Sequence, residues 1–112
     1  MITAAAFVIL AGTGAVARAE AGRRWNQHER FAWGTLLVNI SGSFLLGTIH
    51  DFAPPALTAL GVGGLGAYTT FSSFARDAVA LIELRRLALS AVYVGATTVL
   101  CIAAAAAGMA LA

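Results

Sequence analysis

Gly61-Val62-Gly63-Gly64-Leu65-Gly66-Ala67-Tyr68-Thr69-Thr70-Phe71-Ser72-Ser73-Phe74 packs four glycines into six residues and continues with hydroxyl and aromatic side chains. Glycine is among the poorest helix formers, so a helix carried through this stretch is expected to break. The residues around it, from about Ala56 to Leu84, are apolar enough for a membrane span. Non-helical backbone at that depth survives only where it is packed within protein or lines a wet cavity. Interrupted helices of this kind mark ion and substrate sites.

Working outward, three further stretches are predicted to span. Crossing about 30 Å of hydrocarbon takes roughly 20 apolar residues as helix. Ile2 to Ala17, Phe31 to Ile49 and Leu87 to Ala112 meet that need. The predicted fold is therefore an all-α membrane protein: a single domain of four transmembrane helices over residues 1–112, the third broken mid-membrane near residues 63–72.

Composition agrees. Of 112 residues, 60% are hydrophobic and 11% charged, and the mean hydropathy is +0.85. A soluble chain this short needs far more polar surface. The net charge of +2 could suggest a nucleic-acid binder, but lysine is absent and the arginines sit between apolar runs. That is the pattern of membrane flanks, and no nucleic-acid partner is expected. A lone cysteine, Cys101, gives no disulfide framework or zinc cluster within one subunit. Ala17-Arg18-Ala19 has the small-x-small form of a signal cleavage site, but Met1 to Ala6 carries no basic side chain and further spans come after it, so cleavage is not expected.

The gaps carry the charge. Arg18 to Arg30, with Arg23, Arg24, His28 and Glu29 and the flanking Trp25 and Trp33, reads as an interfacial loop. His50 to Pro55 reads as a tight hairpin closed by two prolines. Glu83, Arg85 and Arg86 form a compact corner, so no extramembrane domain is predicted. All seven arginines lie in or beside the first and third gaps and none in the second. Positive-inside logic then puts both termini outside.

Catalytic patterns are missing: the sequence holds no HExxH, CxxC, Walker A loop or G-x-S-x-G. His28 and His50 fall in loops on opposite sides, so joint metal ligation and enzyme activity are not expected. What remains is a set of neutral polar residues inside apolar helices. Thr35, Asn39 and Ser43 repeat every four residues and form one stripe. Ser41, Ser43 and the glycines Gly34, Gly42 and Gly47 suit close helix packing. Asn39 differs, since an unpaired amide is costly in hydrocarbon and offers two donors. Tyr93, Thr97 and Cys101 form a second stripe with Thr98 beside it, although threonine often bonds its own helix and Tyr93 could serve as an interfacial anchor. Phe71 and Phe74, three apart, share a helix face that in most proteins is core.

Two strings carry a resemblance: Gly34-Thr35-Leu36-Leu37-Val38-Asn39-Ile40-Ser41-Gly42-Ser43-Phe44-Leu45-Leu46-Gly47 and Gly63-Gly64-Leu65-Gly66-Ala67-Tyr68-Thr69-Thr70-Phe71-Ser72-Ser73-Phe74. They resemble the signature stretches of the Fluc (CrcB) fluoride channel family, and the likeness covers nearly the whole chain. It implies an antiparallel dimer in the bacterial cytoplasmic membrane, giving fluoride passive exit from the cytoplasm and protection against its toxicity. It implies two narrow pores lined by Asn39, Phe71, Phe74, Tyr93 and Thr97, with Ser73 and Thr35 as further pore candidates. A structural sodium ion (Na+) at the dimer interface, held by backbone carbonyls, is implied at Gly66 and Thr69. Cys101 departs from the pattern, standing where the family often has a hydroxyl.

The physics suits that expectation. Fluoride is small and strongly hydrated and must exchange water for donors in a dry pore. Phenyl edges carry positive charge and meet an anion without tight binding. Because an arginine bias opposes insertion in both orientations, the subunit is expected to pair with itself or with an oppositely oriented paralogue. Two rivals stand beside this reading. A small multidrug-resistance exporter needs a carboxylate in its first helix, and none lies between Ile2 and Ala17. A non-transporting assembly subunit would use the small-residue motifs for packing alone.

Overall fold

The computed structural model describes residues 1–27 and 30–112. His28 and Glu29, expected in the first loop, lie outside the described residues. The structure is all-helical among those residues, with four helical segments in chain order.

The first segment is one helix, α1 (Ile2–Trp25), 24 residues long. It runs past the predicted end at Ala17 because its charged end supports itself: Glu20 pairs with Arg23 at 2.5 Å and with Arg24 at 2.6 Å, one turn on. Such i,i+3 and i,i+4 pairs, with cations at the C-terminal end of the dipole, favour continued helix. At 1.5 Å per residue α1 is about 36 Å long. The second segment is α2 (Trp33–Thr48), 16 residues. The fourth is α6 (Leu87–Leu111), 25 residues. By length and composition α1 and α6 suffice to cross a bilayer.

The third segment departs from the simple expectation. It opens at the two prolines as α3 (Pro54–Ala56) and continues as nine residues of π-helix, Leu57–Leu65. A short α4 (Gly66–Tyr68) comes next, and helix resumes at α5 (Phe71–Glu83). The glycines themselves do not interrupt helical bonding. They are carried in wide i→i+5 turns, a geometry that recurs at functional sites. The chain leaves helical conformation only at Thr69 (φ −78°, ψ 160°) and Thr70 (φ −150°, ψ 121°). The missing side chains serve packing instead, since a Cβ at Gly63 would crowd the Phe7 ring.

The most extensive pairing is α2 on α6, then α1 on the π-helical stretch. Gly47 and Gly108 set the first of these. A Cβ on Gly108 would collide with the Phe44 carbonyl, and one on Gly47 with the Ala105 carbonyl. Small residues let backbones approach in this way. A buried cluster of Ala32, Leu81 and Tyr93, with Phe31, Phe74 and Leu89 against it, ties α2, α5 and α6 together. Elsewhere the surface is apolar: Val8, Ile9, Val16, Val92, Val99 and Ile102 are each more than half exposed. An apolar surface this continuous belongs in lipid.

The corner after α5 is a tight helix cap. Arg86 N–H donates to the Leu81 carbonyl at 2.8 Å and Arg85 N–H to the Ile82 carbonyl at 2.9 Å. These are the two bonds of a Schellman closure, which favours glycine at the left-handed position. Here that position is Arg85, with φ 60°. The corner meets the first gap at one end of the molecule, where Asn26, Gln27, Arg30, Arg76 and Leu84 border a cavity of about 310 Å³.

Candidate functional site

Asn39 organises the interruption in the third segment. Its Nδ2 donates to the Thr70 carbonyl at 2.9 Å, and its Oδ1 accepts from Thr70 N–H at 2.8 Å. Sequence reasoning gave this amide two uncommitted donors; in the structure one of them and the acceptor are spent on backbone. The remaining N–H is left for another partner. Thr70 in turn caps α5, its Oγ1 accepting from Ser73 N–H at 3.0 Å. The ordinary i+4 donors to the carbonyls of Gly66 and Thr69 are therefore engaged elsewhere.

Beside this junction lies a cavity of about 400 Å³, bordered by Asn39, Ser43, Thr70, Phe71, Phe74, Thr97, Thr98 and Cys101. None of its lining residues is charged, among the described residues. Thr98 makes the bond to its own helix expected of threonine, donating to the Val94 carbonyl at 2.8 Å. Thr97 does not. It is 5% exposed, and its Oγ1 is buried without a hydrogen-bond partner. A buried polar group left unmatched costs about 1–3 kcal/mol, so one that persists calls for an explanation.

The two phenylalanines part company. Phe71 is 80% exposed, so within one subunit it is not core. Phe74 packs on Tyr93 with ring centroids 5.5 Å apart, and the Phe71 and Phe74 rings lie 5.8 Å apart, tilted by 59°. Tyr93 itself is fully buried rather than anchored at an interface.

Thr35 and Tyr93 meet around a residue the sequence reading passed over. Thr35 Oγ1 donates to Asp77 Oδ2 at 3.0 Å, and the Tyr93 hydroxyl reaches the same oxygen at 3.4 Å. Asn26 completes the group, donating to Thr35 Oγ1 at 3.0 Å and accepting from Thr35 N–H at 3.2 Å. The signal for Asp77 was available, because a carboxylate within an apolar segment is rare and functional by default. Asn26, in a loop, offered none.

Ser73 opens on a different space. It borders a cavity of about 330 Å³ with Arg18, Arg23, Thr35, Thr70 and Arg76. Thr70 thus borders a basic chamber on one side and a neutral one on the other. Thr69 stays at the junction, its Oγ1 donating to the Leu65 carbonyl at 3.0 Å. Ser41 bonds the Leu37 carbonyl and the Tyr68 hydroxyl, a packing role.

A lipid-facing helical surface enclosing neutral hydrogen-bond donors defines a membrane protein rather than a soluble helical domain. Residues 5–109 match the family described as CrcB-like protein, Camphor Resistance (CrcB), and the chain belongs to that family. Among curated relatives, the Fluoride-specific ion channel FluC of Agrobacterium fabrum (strain C58 / ATCC 33970) is 50% identical over 88 residues, 72% of this chain and 70% of that protein. The protein of that name from Rhizobium meliloti (strain 1021) is 42% identical over 88 residues, with the same coverage of 72% and 70%. That of Rhodospirillum centenum (strain ATCC 51521 / SW) is 40% identical over 110 residues, 89% of this chain and 86% of that protein.

Proposed function

We propose that this chain is the subunit of a fluoride-specific ion channel, crossing the bacterial cytoplasmic membrane four times and pairing antiparallel with a second subunit. The observation that carries this reading is a neutral cavity bordered by Phe71, Phe74, Asn39 and Thr97, the last with a buried hydroxyl that has no partner. The relatives named as fluoride-specific channels supply the ion. The chamber bordered by Arg18, Arg23 and Arg76 would gather the anion from water. Past Thr70, the spare Asn39 N–H, the Thr97 hydroxyl and the phenyl edges replace hydration without a fixed positive charge. The ion is held weakly at each step, so it leaves. No bond is made or broken, and the activity is passive flow.

The exposure of Phe71 favours a pore completed by a second subunit, because an outward-facing ring lines nothing in one copy alone. The carbonyls of Gly66 and Thr69, with their i+4 donors engaged elsewhere, fit a hard monovalent cation, which takes oxygen ligands; sodium would be held there. The arginine-rich first and third gaps share one end, which favours termini outside and pairing with an oppositely oriented paralogue as well as with itself. Membrane-impermeant labelling of both loops in the chain expressed alone would show one orientation; equal labelling of both would end the paralogue idea.

The direct test is release of fluoride from liposomes holding the purified protein, read with a fluoride electrode. Efflux well above that of empty vesicles, with chloride retained, is expected. Vesicles that keep their gradient when both the chain alone and the chain with its paralogue are reconstituted would overturn the reading.

A further inference from the structure

The cavity of about 310 Å³ where the first gap meets the corner after α5 has walls of two kinds. One is polar and basic, with Gln27 and Arg30 from the gap and Arg76 from α5; the other is apolar, with Ala80, Leu81 and Leu84. Asp77 is the single carboxylate among the described lining residues, and it is occupied: its Oδ2 accepts from Thr35 at 3.0 Å and lies 3.4 Å from the Tyr93 hydroxyl. Its Oδ1 is 3.9 Å from Arg76 Nε, too far for a hydrogen bond, and the Arg76 side chain is 75% exposed. The cavity thus has more cations than carboxylates. Trp25 and Trp33, each half exposed or more, flank the gap and mark its depth as the headgroup region.

We propose that this cavity is a binding site for the headgroup of an anionic phospholipid such as phosphatidylglycerol, its phosphate held by Arg30 and Arg76. Guanidinium meets phosphate with paired N–H donors, which makes arginine the side chain suited to it. Basic pockets between helices on the arginine-rich side of a membrane protein take anionic headgroups in this way. The apolar wall selects a lipid over a soluble anion. A free phosphate uses the basic wall alone, whereas a phospholipid carries glycerol and methylene groups directly below its phosphate. Exposed Val79 and Ile82 extend the apolar surface of α5 toward the hydrocarbon, where the chains of such a lipid lie. A zwitterionic headgroup fits less well, because its own ammonium would sit beside two arginines. The proposal stands whichever ion the protein conducts.

The experiment incubates the purified protein, in maltoside micelles, with equal amounts of dioleoyl phosphatidylglycerol and dioleoyl phosphatidylcholine and counts bound lipid by native mass spectrometry. Wild type is compared with the double variant Arg30→Gln, Arg76→Gln and with a control, Arg24→Gln, Arg86→Gln, which removes the same charge outside the cavity. All four positions are exposed, so the fold is expected to survive, as circular dichroism would show. Wild type should retain one phosphatidylglycerol per subunit, in an excess over phosphatidylcholine of about tenfold or more. The cavity variant should lose that excess and the control should keep it. Ammonium phosphate should displace no more lipid than ammonium acetate of equal ionic strength. Equal retention of the two lipids by wild type would overturn the site, as would an excess that survives in the cavity variant or is lost equally in the control. Displacement by inorganic phosphate beyond the acetate level would overturn the lipid as occupant.

Discussion

The Asn39 carboxamide and the Thr70 peptide group face one another and exchange two hydrogen bonds, at 2.9 and 2.8 Å. A side chain of α2 thus takes the place of helix neighbours for the one stretch of the third segment that has none. This accounts for the cost of keeping Thr69 and Thr70 extended inside an apolar protein, since buried backbone groups must be paired.

Replacing Asn39 with alanine strips both partners from Thr70, leaving a buried N–H and C=O at about 1–3 kcal/mol each. The expected outcome is a lower melting temperature in detergent together with loss of fluoride efflux. Asn39→Asp keeps the acceptor and loses the donor. It should melt between wild type and Asn39→Ala by scanning fluorimetry.

Thr97 separates function from stability. Its hydroxyl has no partner, so Thr97→Val removes a buried polar group whose desolvation costs stability and puts an apolar one of the same shape in its place. Melting should be unchanged or slightly raised while efflux falls by about tenfold, one donor's worth of roughly 1.4 kcal/mol at the transfer step. Thr97→Ser should restore flow. Equal efflux from Thr97→Val and wild type would remove the hydroxyl from the pathway.

Phe71 gives the complementary separation. At 80% exposure its ring contributes little to packing within a subunit. Phe71→Leu keeps an apolar side chain and discards the electropositive edge. We expect an unaltered subunit fold by circular dichroism and efflux reduced to the background of empty vesicles. Full retention of flow would remove the Phe71 ring from the pathway.

Arg85 holds a left-handed conformation, φ 60°, at a helix closure where glycine has no steric penalty. Arg85→Gly should therefore raise stability by roughly 1 kcal/mol, measured as a higher melting temperature, with efflux preserved. A drop in stability would mean that the guanidinium makes interactions outweighing the strain.

Much of this architecture is legible in one dimension because lipid imposes a harsh code. Apolar runs between short gaps, two bearing arginine and one closed by prolines, mark the four segments, and a period of four picks out Thr35, Asn39, Tyr93 and Thr97. The stripe could not reveal what each residue does with its polar atoms. Asn39 and Thr70 are 31 positions apart, and Thr35 and Asp77 are 42 apart, so no local pattern links them. Asp77 carries a signal of its own, a carboxylate within an apolar segment, but its position in the chain does not show that Thr35 and Tyr93 meet it. The length of α1 escaped prediction because charge, not apolarity, supports its last two turns. The glycine run was read by propensity alone, whereas close contact with α1 decides its conformation.

The π-helical turns from Leu57 to Leu65 make this stretch tolerant of miscounting. Each such turn takes in one residue more than an α turn needs, so deleting a residue there is absorbed by tightening the coil, and the downstream helix keeps its rotational setting. The same deletion between Phe71 and Glu83 swings every later side chain by about 100° around its axis. Gaps in this chain's lineage should therefore accumulate ahead of the two threonines and be purged behind them.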